Sequence, residues 1–203
     1  MNNDIICVGE ALVDFIGHEK GKSIRDTRDY HRYLGGSVTN VAMNLARLGL
    51  NPRLIATIGQ DGLGDYILHR INEINIDITF VRREQLIPTS TVFMSRATDT
   101  PDFIPYRAAD SHIIKEQFPS EILKGVKIFH TTCFALSKNP ARETILEKAE
   151  EAFNLCCKLS IDINYSAKIW SNRLEAKRTI EAYCKFNPMI KISDDDMERY
   201  FDK

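Results

Sequence analysis

Apolar positions along the chain change their period several times, and each change marks an element. From Ile5 to Phe15 the sequence IICVGEALVDF is almost continuously apolar, which predicts a buried strand. From Val38 onward apolar residues fall at 38, 41, 42, 45, 46 and 48, the spacing of one buried helix face, and Gly49 stands where a left-handed cap would end that helix. Arg53 to Ile58 is β-rich and stops at Gly59, and Gly62-Leu63-Gly64-Asp65 opens a helix through about Asn75. Strands are predicted near 78–82, 89–97 and 103–107, then a short helical turn over 120–124 and a buried strand from Val126 to Cys133. Asn139 to Cys157 is the strongest helix, with Pro140 in its permitted first turn. A strand over 158–163, a helix over 171–186, a strand over 189–193 and a helix opening at Asp194 complete the pattern.

Repeated β-α-β units of this length predict an α/β fold, a doubly wound parallel sheet with helices on both faces. Two polar segments, 16–34 and 86–110, interrupt that rhythm with short alternations such as Thr89-Ser90-Thr91-Val92-Phe93-Met94. They predict a small antiparallel sheet that cannot bury both faces in the main body, so it serves as a lid over a cleft or as a dimer interface. No repeat, low-complexity tract or linker divides residues 1–203, which are expected to form one domain.

Composition narrows the classes. The 203 residues carry a net charge of −1, which gives no electrostatic case for nucleic acid or an anionic membrane. The N-terminal MNNDIICVGEAL has no basic leader, and no segment approaches membrane-spanning length. Five cysteines, with no C-x-x-C, fit buried thiols in a reducing cytoplasm. The glycine order over 59–64 is wrong for a dinucleotide fingerprint, no phosphate-loop motif occurs, and the five histidines lack metal-ligand spacing. His130 reads as a satisfied core or rim residue.

Ligands of open parallel sheets bind beyond the carboxyl ends of the strands. Gly35 and Gly36 allow close backbone approach just where a helix begins, so a small polar molecule can sit against Gly35, Gly36 and Asn40. Asp14, at the end of the first strand, can accept two hydrogen bonds from a polyol. Phe93 and Phe103 offer an apolar wall or else the core of the lid, and Arg107 ends a lid strand.

The spacing of Gly35-Gly36, Asn40, Ala42, Gly49 and Gly59 resembles the first signature of the ribokinase-like (PfkB) carbohydrate kinases, with Val38 where Gly, Ala or Pro is usual. GEALVDF followed by GGSVTN resembles the fructokinase branch. The resemblance implies ATP- and Mg2+-dependent transfer of a γ-phosphoryl group to a hydroxyl of a small sugar, with Asp14, Gly36 and Asn40 on the sugar and Arg107 facing the sugar and phosphoryl region. Asp162-Ile163-Asn164 resembles the family's D-x-N motif, with Trp170 at the expected distance and Ser166 where relatives often carry arginine. Lys191 to Glu198, KISDDDME, stands where the family shows an N-x-x-E motif tied to magnesium and phosphate, Ser193 and Asp196 being the matching residues. The alternative for Ser193 is a helix cap. A G-A-G-D-type motif would supply the catalytic aspartate, and none occurs here. The resemblance therefore implies that these residues match the first two-thirds or so of a member, with the C-terminal part missing and catalytic groups expected beyond Lys203. On that reading the chain alone binds sugar without turnover and exposes an apolar sheet edge, and a homodimer through the lid is open. Rival readings are a non-catalytic sugar-binding or scaffold descendant, and a nucleoside or 2-keto-3-deoxygluconate kinase.

Overall fold

A computed structural model of the chain describes residues 4–74, 76–96 and 102–201. In chain order the first elements are β1 (Ile5–Val8), β2 (Leu12–Lys20), β3 (Tyr30–Gly35), α1 (Ser37–Arg47), β4 (Pro52–Gly59) and α2 (Gly62–Asn72). They are followed by β5 (Asp77–Glu84), β6 (Thr91–Arg96), β7 (Phe103–Tyr106), β8 (Ile128–Thr132) and α3 (Ala141–Asn154). The order ends with β9 (Lys158–Asp162), α4 (Arg173–Cys184), β10 (Met189–Lys191) and α5 (Asp194–Phe201).

Six strands form one parallel sheet in the order β10-β9-β8-β1-β4-β5. All four residues of β1 are buried because the sheet is covered on both faces. Ile5 and Cys7 join Leu54, Ala56 and Ile58 against Val38, Ala42, Ile67 and Ile71 of α1 and α2. Ile6 and Val8 join Phe129, Leu159 and Ile161 against Ile145 and Ala149 of α3 and Ile180 of α4. Fully burying an aliphatic side chain of this size contributes about 2 kcal/mol, so the two cores dominate the stability of the fold.

Helix ends follow their local chemistry. Gly49, at φ 82, closes α1 by donating its amide to the Ala46 carbonyl at 3.0 Å. Asp61 caps α2 by accepting from the amides of Leu63 and Gly64 at 3.0 and 2.8 Å. Its other oxygen accepts from the Thr89 amide at 2.8 Å, which ties that helix start to the base of the lid.

Two sequence expectations are corrected. The predicted strand from Ile5 to Phe15 is two strands in two sheets, parted at Gly9–Ala11, where the chain leaves the main sheet. The lid is a four-stranded sheet in the order β3-β2-β6-β7, and it is mixed rather than antiparallel, because its central pair β2 and β6 runs parallel. Residue 75, at the expected end of α2, and 97–101, within the expected lid segment, lie outside the described residues.

Strand β10 is exposed at all three residues, Met189 and Ile190 among them. All five cysteines are free thiols. Among the described residues, no helix is long and apolar enough to cross a membrane.

Candidate functional site

A cleft of about 330 Å³ opens between the lid and the carboxyl ends of the main-sheet strands. Glu10, Gly36, Ser37 and Asn40 line it from the β1 exit and the start of α1. Leu12, Asp14, Val92, Met94 and Phe103 line it from the lid, and Phe134, Asn164, Tyr165, Ser166 and Ile169 from the opposite wall. Asp196 and Arg199 of α5 close one end.

Strand alternation decides which lid side chains face the cleft. On β2, Leu12 and Asp14 do, whereas Phe15 stacks on Phe93 with ring centroids 4.8 Å apart. On β6, Val92 and Met94 face the cleft, whereas Phe93 packs edge-on against Tyr30 and Tyr106. Of the two phenylalanines suggested as an apolar wall, Phe103 lines the cleft and Phe93 belongs to the aromatic core of the lid.

Asp14 has no hydrogen-bond partner among the described residues, and burial pushes its carboxyl from 3.8 up to about 6. Gly35 pairs with Leu12 in the neighbouring strand, and a Cβ there would lie 2.3 Å from Asp14 Oδ2. Gly35 thus gives room to the carboxylate instead of lining the cleft itself. Gly36 precedes α1 at φ 102, and a Cβ on it would meet the Glu10 carbonyl oxygen at 2.3 Å. Both the left-handed backbone and the close approach require glycine. Asn40, one turn into α1, is exposed to the cleft.

Glu10 is the site residue that sequence reasoning missed. Its side chain is 1% exposed, yet it reaches the cleft. Oε1 accepts from the amides of Ser37 at 2.9 Å and Val38 at 3.4 Å, so a carboxylate 27 residues away in sequence caps α1. Oε2 accepts from Thr132 Oγ at 2.8 Å, and the Glu10 carbonyl accepts from Thr39 Oγ at 2.9 Å. Burial pushes this carboxyl from 4.5 up to about 7, against those hydrogen bonds and the nearby Arg107, which pull it down. The only signal in the sequence is that Glu10, like Asp14, is an acid inside an apolar run.

Arg107 does not line the cleft. Its side chain is 3% exposed and pairs with the fully buried Asp110, Nε donating to Oδ2 at 2.8 Å. The guanidinium also donates to Ser137 Oγ and stacks 4.1 Å from the ring centroid of Phe134, which does line the cleft. Asp110 in turn accepts from Ser90 Oγ at the start of the lid. Arg107 is thus a buried tie between lid and wall.

The residues expected on the phosphate side are scattered. Asn164 lines the cleft and is held at both ends of its amide: Oδ1 accepts from the Phe134 amide at 3.1 Å and Nδ2 donates to Ser37 Oγ at 3.0 Å. Asp162 and Lys191 lie off the cleft and pair with each other at 2.9 Å. Ser193 caps α5, its Oγ accepting from the Asp196 amide at 3.1 Å and donating to Asp196 Oδ2 at 2.5 Å. Asp196 does reach the cleft, with its other oxygen held by Arg199 at 3.3 Å. Trp170 is buried and donates Nε1–H to the Cys133 carbonyl at 3.2 Å. His130 is buried off the cleft, Nδ1 lying 3.1 Å from Ser160 Oγ, and burial lowers its pKa to about 4.

Magnesium needs several oxygen donors converging on one point. The Asp196 carboxylate is engaged by Ser193 and Arg199, Asp162 pairs with Lys191 although its buried Oδ1 receives no hydrogen bond, and no group of three or more potential ligands converges among the described residues. This donor set does not fit a resident metal ion, and no chemical step is assigned to one.

The sequence profile of the pfkB family carbohydrate kinases matches residues 2–202. An ATP-dependent 6-phosphofructokinase of Thermoanaerobacterium thermosaccharolyticum is 34% identical over 201 residues, covering 98% of this chain and 62% of that protein. The structure of Halothermothrix orenii fructokinase superposes with a TM-score of 0.88 at 30% identity, covering 98% of this chain and 70% of the other. A sugar kinase of Pyrococcus horikoshii, solved in complex with ATP, superposes at 0.90 with 25% identity, covering 98% and 66%. The chain spans about three-fifths of the length of the curated relatives it matches. A parallel sheet with its mixed-sheet lid, a glycine pair opening α1 over a cleft, and a profile match along nearly every residue agree: the chain belongs to the pfkB family of carbohydrate kinases.

Proposed function

We propose that this chain is the sugar-binding portion of a fructokinase-like enzyme that transfers the γ-phosphoryl group of ATP, with Mg2+ as the nucleotide's counter-ion, to a sugar hydroxyl in the cytoplasm. The observation that carries the reading is Asp14: a partly buried carboxylate with no partner in the described chain, facing a cleft beside Gly36 and Asn40. A polyol donating two hydroxyls to that carboxylate would satisfy it, Asn40 would add a donor and an acceptor, and Phe103 would cover an apolar face. The lid excludes water from the bound hydroxyls, and Arg107 acts by holding lid and wall together.

One relative is named for a phosphorylated sugar. The charges lining the cleft favour a neutral one: Glu10, Asp14 and Asp196 against Arg199 alone, and Arg199 is held by Asp196. No G-A-G-D segment occurs in the 203 residues, so the reading assigns them sugar binding without turnover. Tyr33, Ile104 and Tyr106 stand exposed on lid strands, and a second copy of the chain is the partner proposed for them.

Calorimetric titration of the purified chain with fructose, ribose, adenosine and 2-keto-3-deoxygluconate tests the reading. Saturable binding of fructose, strongest of the four, is expected. Absence of binding by any sugar sinks the reading, and robust ATP-dependent phosphorylation of fructose by these 203 residues overturns the assignment of turnover elsewhere.

A further inference from the structure

An N-terminal helix turn that opens into a ligand cleft is ordinarily a ready anion site, because its first amides are unpaired and the helix dipole favours negative charge. Here the anion is already supplied by the chain. Glu10 Oε1 receives the amides of Ser37 and Val38, and Oε2 receives Thr132 Oγ, so both oxygens are committed at the cleft floor. The side chain is buried and receives three donors, so the carboxylate cannot swing aside without leaving the amides of the turn and Thr132 unpaired.

The surrounding charges reinforce this arrangement. Behind Glu10, Arg107 and Asp110 form a buried pair that is already neutral. Toward the lid stands Asp14, and across the cleft Asp196 is held by Arg199. At the rim, Lys168 is held by Asp102 and the Phe103 carbonyl. A phosphate or carboxylate brought against the turn would meet two like charges, with the first two backbone amides of α1 already taken and no uncommitted cation among the described lining residues. A hydroxyl meets none of these obstacles.

We infer that Glu10 is a specificity-determining residue: an internal anion that occupies the start of α1, fixes Gly36 and Asn40 in place, and restricts the turn to a neutral sugar. This inference rests on the sugar-binding reading above and names the substrate class of that same site.

Two measurements at pH 8 on the whole chain test it. The first compares dissociation constants for fructose and fructose 6-phosphate in wild type and Glu10→Gln, with thermal unfolding as a check of folding. Wild type is expected to prefer fructose by at least ~30-fold, and Glu10→Gln to narrow that ratio at least ~10-fold, through weaker fructose binding and relieved repulsion of the phosphate. A folded Glu10→Gln chain with the wild-type ratio overturns the inference. The second follows the Ser37 and Val38 amide resonances of the sugar-free wild type during titration with inorganic phosphate. No saturable shift is expected, because Glu10 holds both amides, and a saturable shift at those two amides overturns the inference even if Glu10→Gln does not fold. Failure of wild type to bind fructose would instead sink the functional reading, while the phosphate titration still reports on Glu10.

Discussion

The two ends of the cleft are built on opposite principles. At the lid and α1 end, Asp14 keeps an unpartnered carboxylate in a partly buried place, and glycine at 35 leaves room for it. At the α5 end and behind it the acids of the expected motifs are paired within the chain: Asp196 with Ser193 and Arg199 at the cleft, and Asp162 with Lys191 off it. A carboxylate without a partner costs stability, and a fold retains one where a ligand supplies the missing donors. Carboxylates with partners cap helices and close strands whether or not a ligand arrives. The difference separates residues set aside for chemistry from residues spent on structure.

Gly36→Ala should give the largest effect, because it strikes where both principles meet. The added Cβ would lie 2.3 Å from a backbone oxygen at φ 102, so α1 must shift or the turn must unfold. A loss of about 3 kcal/mol or more in urea unfolding is expected, together with loss of measurable fructose binding. Wild-type stability in this variant would mean that the turn is far more plastic than its contacts imply.

Asp14→Asn sharpens the contrast by separating affinity from stability. Removing a charged acceptor of sugar hydroxyls should weaken fructose binding roughly 30–100-fold. Stability should move the other way. The folded Asp14 carboxyl titrates at about 6 instead of 3.8, so the fold binds the extra proton more tightly than the unfolded chain does. The resulting penalty is absent below about pH 4, grows between 4 and 6, and is complete above 6. Wild-type stability therefore falls as pH rises through this window, with Glu10 extending the fall toward 7. Asp14→Asn should recover roughly 2 kcal/mol at pH 8 and flatten the lower part of the profile, as read from urea unfolding between pH 4 and 8. An unchanged profile would mean that Asp14 is better solvated than its burial suggests.

Much of the fold was legible because its signals are local. The helical spacing over 38–48 needs no partner to be read, and α1 ends at Gly49 for the reason its sequence implies. The sugar-side glycines, Asp14 and Asn40 are contiguous with those signals, and the structure brings Asp14, Gly36 and Asn40 to one cleft. What was not legible depends on distant pairing. IICVGEALVDF is apolar apart from its two acids, and nothing in it says that β1 pairs with β4 and β8 while β2 pairs with β3 and β6. Glu10 escaped for the same reason, since its partners Ser37 and Thr132 lie 27 and 122 residues away. Arg107 looked available because, besides nearby Asp110, the residues that bury it against the wall, Ser137 and Phe134, are separated from it by a strand and several turns.

Ser193→Ala tests the structural end directly. It removes the side-chain cap of α5, which should cost about 1 kcal/mol. Asp196 would keep its contact with Arg199, so fructose affinity should stay within about twofold of wild type in calorimetry. A tenfold loss of affinity with unchanged stability would reverse the reading and place this helix start among the ligand-holding groups.

Lys191→Ala should give the smallest effect, and that smallness is informative. Lys191 is 62% exposed while its partner Asp162 is 14% exposed, so solvent screens the pair from the lysine side. Such pairs contribute a few tenths of a kcal/mol, and a change below about 0.5 kcal/mol in urea unfolding is expected, with fructose affinity untouched. Lys191 sits on the exposed edge strand β10, where charge also discourages pairing with a second chain. Its replacement should therefore raise the aggregation of concentrated samples, seen by light scattering, more than it lowers stability. If instead sugar affinity fell while the fold and the scattering were unchanged, the division between the two ends of the cleft would fail at its least protected point.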